Sequence, residues 1–323
     1  MNQKKIAVLG AGTMGPGIVT AYITHGYEVA VYSRSQDTLD RAAKVVQNNL
    51  LLFSQEGILD REQAQEAAQR VRYTTSVADA VEDAWYIVET IVEKPEAKIA
   101  LYNQLDELVE EGVIFASNTS ALNVFELVPE RRLPYTVIAH WFAPAHILPL
   151  VEVVRGPQTL ETVMEKTVQL HKDCQKTPVR MEEYIPGFIV NRMQGALANE
   201  VYRLLEHGYC TAEDLDLAVK TSLMPRGLLL GLVQRMDFTG LDMMANGLKN
   251  KKAMTKPLPS VPERPAVIFD PVDRGDLGVK TGKGIYDYSD RPYEQVLLER
   301  DRQLLRSVRL GMEFIENPLH KED

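Results

Sequence analysis

The stretch "KKIAVLGAGTMGPG" (4–17) restricts what this chain can fold into more than any other. An aliphatic run gives way to Gly10, Gly12 and Gly15, and a helical pattern then extends from about Met14 to His25. Strand, glycine turn and helix in that order open a βαβ unit. The alternation continues. Strand-like runs rich in β-branched residues stand at "YEVAVYS" (27–33), "AWYIVETI" (84–91), "GVIFAS" (112–117), "TVIAH" (136–140) and "PLVEVV" (149–154). Between them one helical pattern runs past Leu52, one starts near Asp60 after a turn at Gly57, and one covers 95–111 with Pro95 in its first turn. Such alternation predicts an α/β domain, a Rossmann-like, doubly wound and mostly parallel sheet covered on both faces.

After "EEYIPGFIVNR" (182–192) the pattern turns to long helices, with Pro186 and Gly187 as punctuation. We expect a dinucleotide-binding domain over 1–184 and an all-helical domain over 185–323. In the second, Thr211 stands as an N-cap with Asp214 three residues on, and "NKKAMTKPLPSVPERP" (250–265) reads as a surface loop. Leu297, Leu304, Val308 and Met312 share one face of a terminal helix.

Composition narrows the function classes. A net charge of -9 argues against nucleic acid as the main partner, because phosphate binding draws on clustered Lys and Arg. No run is apolar for long enough to cross a bilayer, and no cleaved leader is expected. Cys174 and Cys210 are far apart without histidines at ligand spacing, so neither a metal site nor a disulfide is expected. His25, His171 and His207 end helical patterns, where a cation suits the dipole; His146 reads as a solvent-facing loop residue and His320 lies in a polar tail. The expectation is a soluble cytoplasmic enzyme with a small-molecule substrate.

The glycines have separate tasks in a dinucleotide site. Gly10 permits the tight turn, Gly12 lets a pyrophosphate approach the backbone, and Gly15 allows helix and strand to pack closely, with Thr13 and Met14 in the same turn. The helix start then offers unpaired N–H groups to the phosphates. An acid at the end of the second strand usually holds the ribose of NAD(H), but this chain has Ser33 and then Arg34. Serine removes a charge that would repel a 2′-phosphate, and arginine can pair with one, which tilts the expectation from NAD(H) towards NADP(H). The plainer alternative is a helix-capping serine beside a solvated arginine. Asp37, the nearest acid, falls inside the next helix.

In "HWFAPAHILPLVE" (140–152), His140 closes one strand-like run and Glu152 lies inside the next. Oxidising an alcohol needs a base for its proton, and imidazole titrates near neutrality. A carboxylate on the other ring nitrogen would fix the tautomer. Taken alone, the same two residues also fit a satisfied core histidine and an unrelated salt-bridged glutamate.

"VLGAGTMGPG", "ASNTSAL" (116–122), "HWFAPAHILPLVEVV" (140–154), "PGFIVNR" (186–192) and "GVKTGKGIYDY" (278–288) come in the order and spacing of the L-3-hydroxyacyl-CoA dehydrogenase family, which the chain resembles over nearly its whole length. The resemblance implies hydride exchange between a nicotinamide and a 3-hydroxy or 3-keto substrate, in a homodimer formed through the helical domain. It implies His140 as acid/base with Glu152 as its partner, Ser120 and Asn191 on the substrate oxygen, and Asn118, Glu93 and Lys98 beside the cofactor.

There are departures. Where the family reads "HFFNP", this chain has "HWFAP", so Ala143 removes one amide from the pocket. The segment "SQEGI" (54–58) lacks the lysine that CoA-using relatives place there, and Glu56 would repel CoA phosphates. "MPRGLLLG" (224–231) and the long terminal helix resemble a side branch acting on free hydroxy acids, such as L-gulonate 3-dehydrogenase (lambda-crystallin) and carnitine dehydrogenase. Arg226 would there take a substrate carboxylate. The substrate is thus a short 3-hydroxyacyl-CoA or, alternatively, a small free hydroxy acid. More remotely, crystallin recruitment offers a non-catalytic cofactor-binding protein.

Overall fold

Eight strands form one sheet in the order β3-β2-β1-β4-β5-β6-β7-β8 in the computed structural model, which describes residues 4–254, 259–317 and 319. In chain order the elements are β1 (Lys5–Leu9), α1 (Gly15–Ile23), β2 (Glu28–Tyr32), α2 (Gln36–Gln55), α3 (Arg61–Gln69), β3 (Val71–Thr74), α4 (Val77–Val81), β4 (Tyr86–Glu89) and α5 (Pro95–Leu108). Next come β5 (Ile114–Ser117), β6 (Thr136–Trp141), β7 (Leu150–Arg155), α6 (Glu161–Asp173) and β8 (Thr177–Met181). All neighbours run parallel except β6 and β7.

Successive residues of a strand face opposite sides of its sheet, and both sides are covered here. Ile6 and Val8 join one apolar cluster with α1, α2 and α6, while Ala7 and Leu9 join another with α4 and α5. From β1 the order runs to β2 and β3 on one side and to β4, β5 and β6 on the other. That reversal between β1 and β4 opens a crevice at the carboxyl ends of the strands, where such sheets bind ligands.

The short edge strands β3 and β8 are absent from the sequence reading. His171 is no helix-end cation either. It is fully buried, its Nδ1 meets Thr167 O at 2.7 Å and its Nε2 lies 3.4 Å from the Tyr22 hydroxyl. Burial pushes its pKa down to about 4, so it is neutral. His146 is half-buried, its ring 5.8 Å from Phe53, rather than turned to solvent.

The chain divides into two units, Met1–Arg192 and Met193–Asp323. The helix α7 (Val190–Glu206) begins in the first and continues into the second. Then follow α8 (Ala212–Ala218), a π-helical stretch over Val219–Leu223, α9 (Met224–Leu230), α10 (Gln234–Thr239), α11 (Leu241–Met254), α12 (Ala266–Asp273) and α13 (Tyr293–Glu316). Thr211 caps α8, accepting from Asp214 N at 3.1 Å. The loop expected over 250–265 is in part helix, because α11 runs on to Met254; residues 255–258, like His320, lie outside the described residues. Along α13, Leu297, Leu304, Val308 and Met312 are half-buried on the stripe that buries Asp301 and Leu305. No helix among the described residues is long and apolar enough to cross a membrane.

Candidate active site

The turn after β1 is built for close approach. Gly10 has φ +126°, and a Cβ there would lie 2.3 Å from Thr90 O; one on Gly15 would lie 2.1 Å from Gly10 O. Gly12 meets nothing within 4 Å and is exposed, as is Thr13, while Met14 packs against the core beneath. The helix α1 has no side-chain cap and no acid in its first turn. Its leading N–H groups therefore remain available to an anion, and the open side at Gly12 fits a dinucleotide's pyrophosphate.

At the end of β2, Ser33 accepts a long 3.5 Å contact from Ser35 N. Arg34 is exposed and, among the described residues, makes no ion pair. Asp37 sits in the first turn of α2, as expected.

The antiparallel β6–β7 ladder puts His140 directly opposite Glu152. His140 Nδ1 and Glu152 Oε2 are 2.9 Å apart. The other carboxylate oxygen accepts the N–H groups of Ile189 and Val190, both at 3.0 Å, where α7 starts. Positive φ at Gly187 (77°) and Phe188 (50°) turns the chain so that these N–H groups face the acid. Burial by itself would raise the Glu152 pKa, but the hydrogen bonds from His140 and the two N–H groups hold it below the usual value. An ionised Glu152 draws the imidazole proton to Nδ1 and leaves a lone pair on Nε2, the arrangement of a general base. The ring is 5 % exposed and lies between Phe142 and Phe188, with centroids at 4.5 and 5.1 Å.

The segment after β5 completes the group. Asn118 accepts from Trp141 N at 2.8 Å through Oδ1 and donates to Thr90 Oγ1 at 3.1 Å, which ties it to the residue after His140. Asn191 donates to Ser120 O at 3.4 Å. One oxygen of Glu93 gathers the loop: it accepts from Thr119 Oγ1 (2.6 Å), Ser120 N (2.9 Å), Ala121 N (3.2 Å) and Ser120 Oγ (3.3 Å). Against the upward push of burial, the Thr119 and Lys98 contacts hold the Glu93 pKa down.

Lys98 is 1 % exposed, with its ammonium 2.6 Å from Glu89 and 3.2 Å from Glu93. It stands behind Glu93 and braces it. Glu89, which the sequence reading passed over, also accepts from Ser117 Oγ at 2.6 Å and Tyr102 OH at 2.9 Å. Its one sequence signal is an acid inside the apolar run "YIVETI". The first unit thus brings together His140, Glu152, Asn118, Ser120, Asn191 and Glu93. Arg226 belongs to the second unit, where its guanidinium donates to the Ser222 carbonyl and hydroxyl, both at 3.0 Å. A cavity of about 530 Å³ lies at the opposite end of the strands, by Lys5, Glu28 and Arg70, and is separate from this site.

The family model for the 3-hydroxyacyl-CoA dehydrogenase NAD-binding domain matches residues 5–184, and that for the C-terminal domain matches residues 187–288. The 5-formyl-3-hydroxy-2-methylpyridine 4-carboxylate 5-dehydrogenase of Mesorhizobium japonicum is 26% identical over 95% of this chain and 98% of its own. The 3-hydroxybutyryl-CoA dehydrogenase of Clostridioides difficile is 33% identical over 88% of this chain and 99% of its own. Among solved structures, a 5-dehydrogenase for the same pyridine carboxylic acid, described as an NAD+ dependent dismutase, superposes with a TM-score of 0.84 at 26% identity, covering 96% of this chain and 98% of the other. The chain belongs to the 3-hydroxyacyl-CoA dehydrogenase family of NAD-dependent oxidoreductases, which act on CH–OH groups.

Proposed function

We propose that the protein interconverts the 3-hydroxy and 3-keto groups of a short 3-hydroxyacyl-CoA, with His140 as the acid/base. The observation that carries this reading is the buried 2.9 Å His140–Glu152 contact, whose carboxylate is pinned by two backbone N–H groups. A bound nicotinamide supplies or accepts the hydride. His140 takes the hydroxyl proton at Nε2 in the oxidative direction and returns it in the reductive one, while Glu152 stabilises the imidazolium. Ser120 and Asn191 hold the substrate oxygen, where charge develops. Gly10, Gly12, Thr13, Met14 and Gly15 receive the pyrophosphate, and Asn118 stands at the nicotinamide end. Glu93, braced by Lys98, keeps the Ser120 loop in shape.

Two finer points belong to the same reading. Arg34, which makes no ion pair among the described residues, and the lack of an acid at Ser33 favour acceptance of a 2′-phosphate, hence use of NADPH beside NADH. The second unit exposes Leu217, Met224, Leu228, Phe238, Leu241 and Met243, apolar surface that a second copy of the chain would cover in a homodimer. Two free thiols suit a reducing compartment such as the cytoplasm.

A free hydroxy acid is the second reading. Ala143 and the absence of any basic residue in the last turn of α2 favour it, as does the likeness to a dehydrogenase named for a pyridine carboxylate. Arg226 would then hold the substrate carboxylate. The test is NADH and NADPH oxidation with acetoacetyl-CoA. Turnover supports the CoA ester, and the better cofactor decides the role of Arg34. Cofactor binding without turnover moves the assignment to a free acid.

A further inference from the structure

Residues 142–149 join β6 to β7 and so connect the two halves of the His140–Glu152 pair. Leu148 N and Ile147 N both donate to Pro144 O at 3.0 Å, which makes a single helical turn. Such a turn leaves its later carbonyls without partners of their own. Three of these, at Ala145, His146 and Leu148, converge on the ammonium of Lys176, at 2.8, 3.5 and 3.0 Å. Lys176 comes from the connection between α6 and the edge strand β8, immediately before β8, and is 9 % exposed.

The ammonium has no carboxylate partner among the described residues; the Trp141 ring lies 5.4 Å away, and the Cys174 thiol and the His171 imidazole are close enough to interact with it. Burial pushes its pKa down to about 8. Enclosing a cation without a counter-ion is costly, and an apolar side chain of similar volume would avoid that cost. What an apolar side chain cannot do is satisfy several inward carbonyls from one point, whereas an ammonium has three donors.

The turn that Lys176 holds is pressed between the cofactor helix and the acid/base. A Cβ on Gly17 of α1 would lie 3.1 Å from Ala145 Cβ and 3.2 Å from the backbone nitrogens of Ala145 and His146. Phe142, at the head of the same segment, places its ring 4.5 Å from His140. From this geometry we propose that Lys176 is a positioning residue, whose ammonium fastens residues 142–149 so that Phe142 and its neighbours form a fixed wall beside His140. The inference rests on the reading of His140 as the acid/base.

The test compares the whole protein with Lys176→Met, which keeps the volume and removes the donors, and with Lys176→Gln, which keeps two of them. Hydrogen exchange is followed in peptides covering 142–149, and the His140 imidazole is titrated by NMR, assigned with His140→Gln. In folded Lys176→Met, the Ile147 and Leu148 amides should exchange at least about tenfold faster, with the rest of the first unit unchanged. The His140 midpoint should move by about half a pH unit or more, with Lys176→Gln between the two. With acetoacetyl-CoA, KM should rise about tenfold while NADH affinity holds. Unchanged exchange and an unchanged His140 titration in folded Lys176→Met would overturn the proposal; should that variant not fold, the same readouts on Lys176→Gln decide. A wild type that ignores acetoacetyl-CoA counts against the CoA ester, while exchange and titration still judge Lys176.

Discussion

At the scale of single residues, Glu152 acts through what it accepts. Glu152→Gln keeps the shape but no longer fixes the proton on His140 Nδ1 or steadies the imidazolium. Its kcat should fall about 10²- to 10⁴-fold, with NADH affinity retained. A fall of less than threefold in steady-state assays would mean that the carboxylate is merely structural. Two buried groups also give stability a pH dependence, in separate windows. Glu152 has a depressed folded pKa, so its contribution is present above its unfolded value near 4.5 and fades as pH falls through the folded value. His171 stays neutral down to about 4 when folded but takes a proton near 6.5 when unfolded. The unfolded state therefore binds more protons between those values, and stability drops by about 3 kcal/mol as pH falls from 6.5 towards 4. Urea titrations across that range should show a shallower slope for His171→Gln; equal slopes would contradict the assignment. The part played by His171 was not legible in the sequence, where it reads as a helix-end cation, because its burial against Tyr22 and Trp141 is made by elements far apart in the chain.

At the scale of elements, the β1–α1 turn separates folding from binding. Gly12 faces open space and Gly15 faces the Gly10 carbonyl. Gly12→Val should therefore keep its melting temperature within a few degrees and lose NADH binding, whereas Gly15→Val should lose several kcal/mol of stability as well. Calorimetry and cofactor titration on the two variants check this, and equal destabilisation would refute the division of roles. The turn was readable because glycine spacing, strand and helix are all local. The central strands β1, β4, β5 and β6 were readable for the same reason, each being a mostly apolar run. The edge strands escaped: β3 is four residues long with Arg72 inside it, and β8 carries Pro178, a residue that argues against a central strand. Glu93 and Lys98 were singled out by the resemblance, but Glu89 and the buried link that Lys98 makes between the two acids escaped. A glutamate in one strand and a lysine on a helix look like surface charges until the fold encloses them.

At the scale of the whole molecule, the first unit carries the candidate acid/base, and the second carries exposed apolar helices and Arg226. If a second copy covers those helices, light scattering should report a dimer at micromolar concentration, and Phe238→Glu with Leu241→Glu should shift it to monomer. A wild-type monomer would remove that part of the account. The order of domains and most of the candidate site followed from motifs in register, whereas the two proposed substrate readings part at Ala143 and the end of α2, positions where the chain lacks a group and lacks a local rule to replace it. The central claim is that His140 moves the proton while other residues bind. Its most direct measurement is NADH consumption by His140→Ala with acetoacetyl-CoA, beside NADH affinity by fluorescence. We predict a loss of turnover of about 10³-fold or more at unchanged affinity. Turnover equal to wild type would contradict the account.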